Sequence, residues 1–133
     1  MNQYPPGRGT PDLLDAISEH QRRFYGLDVD PSREVIVTAG ATEALTATLL
    51  ALIDSADDEV VVFEPYYDSY AAAVALAGAR LRTVPLSAPD FQPDLERLAA
   101  TVSDRTRIIL INDPHNPTCL LYTSDAADDS LRV

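Results

Sequence analysis

The chain has no lysine; all ten of its basic residues are arginine. That is consistent with a GC-rich coding sequence, as are the many alanines, and it leaves no side-chain amine for covalent chemistry on a carbonyl group. A single cysteine, Cys119, excludes an internal disulfide and favours the cytoplasm. No apolar run approaches the roughly 20 residues of a membrane span. The N-terminus lacks the basic-then-apolar order of a signal peptide. Positive charge is scarce, with a net charge of −11, which argues against nonspecific binding to nucleic acid or an anionic membrane. Part of that charge, Asp125, Asp128 and Asp129, lies in an unusual tail. What remains is a chain of 133 residues, 46% hydrophobic, which fits one globular domain and argues against disorder.

Thr10-Pro11-Asp12 predicts a helix start, with a hydroxyl at the N-cap, proline at the first helical position and an acid in the first turn. Leu13, Leu14, Ile17, Gln21 and Phe24 follow at helical spacing, and Gly26 is a C-terminal stop. Leu27 to Arg33 is a polar connection, and Glu34–Thr38 reads as a short buried strand, unbroken and rich in β-branched residues. Glu43–Asp54 predicts a helix and Glu59–Phe63 a second strand. An alanine-rich helix ending at Gly78 comes next, then a strand at Leu81–Pro85 whose partial alternation suggests less burial. Asp94 caps a helix to about Val102, and Thr106–Ile111 is a fourth strand. Strands alternating with helices of this length indicate an α/β fold with a mostly parallel sheet and helices on both faces.

Ligands of such sheets bind at the carboxyl ends of the strands. Three loops are expected there. Gly40-Ala41-Thr42 combines small residues, helix-start N–H groups and a hydroxyl, which suits a phosphate, although an ordinary strand-to-helix turn also needs a glycine. Pro65-Tyr66-Tyr67-Asp68 offers an aromatic face for a planar ring, or a cover for the core edge. Asn112-Asp113-Pro114-His115-Asn116-Pro117-Thr118 is stiffened by two X-Pro bonds, and a cis bond is open to either. Asn116 would there present a fixed amide to a ligand oxygen. A lone histidine such as His115 is more often structural than catalytic.

Together, "NQYPPGRGTPDLLDAI", "VTAGATEAL", "EPYYDSY", "AGARLRTVPL" and above all "NDPHNPT" resemble the class I/II aminotransferases, pyridoxal-phosphate enzymes of fold type I. The wording is closest to the branch holding N-succinyldiaminopimelate, methionine and kynurenine aminotransferases, with "FEPYYDSYAAAVALAGA" leaning toward the first. The resemblance implies the large domain of that fold and pyridoxal 5'-phosphate as cofactor. It also implies amino-acid and 2-oxo-acid substrates, and a homodimer in the intact parent. It assigns Gly40, Ala41 and Thr42 to the phosphate cradle and Tyr67 to the ring that stacks on the pyridine, with Tyr66 the fallback. Asn116 falls on the amide that bonds the cofactor's phenolic oxygen, followed by a cis Pro117. Tyr4 matches a tyrosine that reaches a neighbour's phosphate across the dimer interface.

Thr118 is normally followed by glycine, but here by Cys119, and "CLLYTSDAADDSLRV" matches nothing expected of the family. Residues 1–118 therefore read as part of the cofactor-binding domain. Residues 119–133 read as a non-native or disordered tail resembling translated adapter sequence. The aspartate for the pyridine nitrogen, the cofactor lysine and the substrate-gripping arginine would lie downstream. No catalytic group and no metal site are expected in the chain itself, and it is expected to be inactive. A carbon–sulfur lyase of the same fold, or an aminotransferase-like effector domain of a transcription regulator, would share these loops.

Overall fold

In the computed structural model, which describes residues 4–121, Pro11 opens α1 (Pro11–Tyr25). Thr10 sits extended at the N-cap but its hydroxyl makes no capping bond. Proline, which needs no partner for its nitrogen, is the part of the predicted start signal that acts. Gly26 ends the helix in the left-handed region (φ 66°), and its N–H bonds to the Arg22 carbonyl. That conformation is the reason for glycine there. No residue of α1 is buried, and Phe24 is 62% exposed.

α1 belongs to the first of two units, Met1–Leu45 and Thr46–Val133. This first unit corrects one expectation. No strand forms over Glu34–Thr38, and Glu34 belongs to the turn before it. Only Val35 is buried, and Ile36 is 65% exposed. A strand requires a neighbour's ladder, and among the described residues the segment has no strand beside it. Two of its backbone N–H groups find carbonyl partners outside it: Val37 N–H donates to the Arg8 carbonyl at 2.9 Å, and Glu34 N–H to the Asp30 carbonyl at 2.8 Å. α2 (Ala41–Leu52) begins in this unit and ends in the second, starting and stopping two residues before the predicted span.

The second unit holds β1 (Glu59–Glu64), α3 (Ser69–Leu76), β2 (Arg80–Pro85), α4 (Leu95–Thr101) and β3 (Thr106–Leu110). The strands form a wholly parallel sheet in the order β2-β1-β3, with Phe63 opposite Val84 and Val62 opposite Leu110. β1 is the centre, and Val60, Val61, Val62 and Phe63 are all buried, so both of its faces are covered. Val61 and Phe63 join Val84 and Leu86 in one cluster, closed by Phe91 and by Leu98 of α4. The crossover through α3 steps from β1 to β2, and the one through α4 steps back past β1 to β3. Right-handed crossovers in opposite directions put the two helices on opposite faces. β2 buries only Val84 fully, the partial alternation its sequence suggests.

Asp94 caps α4 as expected, its carboxylate accepting from Arg97 N–H at 3.0 Å. The tail expected from Cys119 onward lies outside the described residues from 122. Cys119 and Leu120 are described, and they fold back onto His115.

Candidate functional site

β1 and β3 are adjacent and parallel, so the loops that follow them leave the same end of the sheet. The first carries Tyr66 and Tyr67, the second Asn116. This is the carboxyl end, where α/β sheets bind ligands.

The loop after β1 enters through a cis Glu64–Pro65 bond and ends at Asp68. Tyr66 and Tyr67 both meet Tyr70 on the first turn of α3. Tyr66 lies nearly parallel to it, with centroids 6.4 Å apart, and Tyr67 meets it edge-on at 5.8 Å. Tyr66 is half-buried, whereas Tyr67 is 40% exposed and is the ring more open to a ligand. Burial, and secondarily the neighbouring Tyr67, raise the Tyr70 phenol above its ordinary pKa. Tyr70 therefore stays neutral and is the ring that both tyrosines pack against, Tyr66 face to face and Tyr67 edge-on. Ser69 Oγ, one residue earlier, is buried with no hydrogen-bond partner among the described residues.

The loop after β3 contains cis bonds at Asp113–Pro114 and Asn116–Pro117. Its centre is His115, which is buried while Asn116 beside it is exposed. His115 Nδ1 lies 2.7 Å from Thr118 Oγ1. Its N–H donates to the Leu120 carbonyl at 2.7 Å, and its carbonyl accepts from Cys119 N–H at 2.7 Å. Burial depresses the imidazole pKa, so the ring is neutral near pH 7. The histidine thus anchors a turn that presents the Asn116 amide to solvent.

The third expected loop belongs to the first unit and follows no strand. Thr38 Oγ1 donates to the Gly40 carbonyl at 2.9 Å, and Gly40 N–H to the Thr38 carbonyl at 2.8 Å. Ala39 N–H donates to the Glu43 carboxylate, the acidic half of a capping box shifted one residue outward. Two N–H groups of the turn are therefore used internally, and a bound anion would take those that follow. Gly40, Ala41 and Thr42 are exposed. Gly40 has φ +89°, and a Cβ there would meet nothing within 4 Å, so the space above the turn is open. Tyr4 is fully exposed.

Two residues beside these loops have roles that no sequence motif announces. Tyr70 is part of "EPYYDSY" without a role of its own in that motif. Arg8 gave no local signal, because its partners are Ser32 and Val35, far away in the chain.

Residues 1–129 match the family model described as aminotransferase class I and II. The chain is 50% identical over 121 residues to a probable N-succinyldiaminopimelate aminotransferase (DapC) of Mycobacterium tuberculosis, covering 89% of this chain and 30% of that protein. The crystal structure of YbdL of Escherichia coli, identified as having a methionine aminotransferase function, superposes with a TM-score of 0.88 at 43% identity, over 92% of this chain and 32% of that one. The three-dimensional structure of N-succinyldiaminopimelate aminotransferase from M. tuberculosis gives 0.83 at 50% identity, over 87% and 30%. The chain spans about 30% of the length of the curated relatives it matches.

Proposed function

The chain belongs to the aminotransferase class I and II family, and from that premise we propose that it is the cofactor-binding part of a pyridoxal-phosphate enzyme. That enzyme moves an amino group between an amino acid and a 2-oxo acid. The observation that carries the reading is the emergence of the Tyr67 and Asn116 loops from the same end of adjacent parallel strands.

The residues fit the cofactor. The space above Gly40 is open, the Tyr67 ring is accessible, and the Asn116 amide is exposed on a turn anchored by a buried histidine. Ala41 and Thr42 would hold the phosphate with backbone N–H groups and a hydroxyl at the start of α2, with Gly40 leaving the space for it. Tyr67 would stack on the ring, and Asn116 would donate from its amide nitrogen to the phenolic oxygen. Tyr4 would serve the phosphate of a second subunit in a cytoplasmic homodimer. When bound, pyridoxal phosphate acts as an electron sink for the substrate's α-carbon. The role of this chain's residues is to fix that ring's position and electronic state.

Among amino donors, N-succinyldiaminopimelate is preferred because the chain is 50% identical to a relative named for it, against 44% for the methionine aminotransferase of E. coli. The test begins with resequencing the locus, to recover a reading frame continuing from Thr118 in place of residues 119–133. Its product is assayed for amino transfer to oxoglutarate from N-succinyldiaminopimelate, methionine and kynurenine. Transfer from the first at the highest kcat/KM is expected. No transfer, with sulfur elimination from a thioether amino acid instead, would make the enzyme a carbon–sulfur lyase.

A further inference from the structure

We infer that Arg8 is a positioning residue for the phosphate cradle at Gly40–Thr42, an inference that rests on the cofactor reading above. Among the described residues the segment that leads into the cradle, Val35–Thr38, pairs with no strand, and Arg8 is what holds it. Its two terminal nitrogens donate to the carbonyls of Ser32 and Val35, the latter at 2.9 Å, while its own carbonyl accepts from Val37 N–H at 2.9 Å. One residue thus grips the segment by side chain and main chain together. Asp30 fixes the first of those carbonyls, since its carboxylate accepts from both Ser32 N–H and Ser32 Oγ, at 2.8 and 2.7 Å.

Gly9 makes the close approach feasible. It has φ +115°, and a Cβ there would stand 2.8 Å from Val37 Cγ2, nearer than such atoms come. From Val37 the chain passes directly into the self-closed turn of Thr38 and Gly40, so a displacement of Val37 is passed on to the cradle. Arg8 Nε is buried without a partner among the described residues. An arginine with no structural task would avoid that cost by turning into solvent. Only a planar guanidinium fork spans two carbonyls in this way; a lysine would reach one.

The experiment compares binding of pyridoxal 5'-phosphate with binding of pyridoxal, which lacks the phosphate. The 133-residue chain is titrated as wild type, Arg8→Met, Arg8→Lys and Arg80→Met. The last removes the same charge from an exposed ion pair with Asp57. Wild type and Arg80→Met are expected to prefer the phosphorylated compound by about tenfold, the scale of a helix-start phosphate contact. Arg8→Met is expected to bring that preference close to one without changing pyridoxal affinity, and Arg8→Lys to recover only part of it. A general loss of structure would weaken both ligands alike, so it would not mimic this result. A wild type with no preference would overturn the cradle reading, and with it the role of Arg8. A preference retained in Arg8→Met would overturn the positioning role alone. Arg8→Gln, which keeps a donor for one carbonyl, is measured alongside. Far-UV spectra unlike wild type in both neutral variants would show a global structural role instead.

Discussion

His115 links the chemistry of one side chain to the shape of the loop that presents Asn116. Its ring is buried against Thr118 Oγ1, and burial holds its pKa below the ordinary value of a free imidazole. A histidine with a lowered folded-state pKa binds its proton more readily in the unfolded chain. The stability it contributes is therefore complete above the unfolded pKa, near 6.5, and is lost as pH falls toward the folded value. Protection from hydrogen exchange, measured against the free-peptide rate at each pH, should fall at His115 and Cys119 N–H below about pH 6.5, before it falls in the β1 core. Equal pH dependence at both places would mean that the loop has no separate titration. Asp94 gives a second check at this scale. Asp94→Ala removes the bond to Arg97 N–H and should lower unfolding stability by about 1 kcal/mol, read from the urea midpoint. Its ion pair with Arg97 is exposed at both ends and adds little to that figure.

At the scale of elements, the units legible from sequence are those whose signals are local. Pro11 and Gly26 bound α1 within a residue of the predicted limits, Asp94 caps α4, and the β-branched run in β1 is buried along its length. Glu34–Thr38 has the same β-branched character but no ladder, because composition reports that a segment is extended and not whether a neighbour is present. The grip of Arg8 on Ser32 and Val35 was illegible for a related reason, since contacts across more than twenty residues leave no periodic trace. The placement of the Tyr67 and Asn116 loops was legible because each follows a segment that does form a strand. β3 shows what an unpartnered edge implies. Only β1 pairs with it among the described strands, and Ile109 within it and Ile111 just past its end are 42% and 62% exposed. An open edge with apolar side chains promotes self-association. Ile109→Lys should reduce light scattering of the purified chain at a given concentration while leaving its thermal midpoint within about 1 °C, since an exposed side chain contributes little to stability. A large fall in the midpoint would show that Ile109 is part of the core.

For the whole molecule, the decisive fact is an absence spread over all 133 residues: there is no lysine. The family's chemistry needs an amine that holds the cofactor covalently and exchanges that bond for one to the substrate. On the proposed reading this chain contributes a phosphate cradle, a stacking ring and an amide, but its only primary amine is the α-amino group of Met1. The dipole at the start of α2 favours a phosphate by about 0.3–2 kcal/mol, which corresponds to weak noncovalent binding. Exposed Leu50, Leu76, Leu95 and Ile111 will also draw copies together, so the assay must use freshly separated monomer. Incubation with pyridoxal phosphate, borohydride reduction and mass mapping should then give label at Met1 or none at all. Label elsewhere would mean that a side chain other than lysine traps the carbonyl. Amino transfer by the purified chain would show that the reaction proceeds without a lysine, and would overturn the view that the catalytic amine must come from residues this chain does not contain.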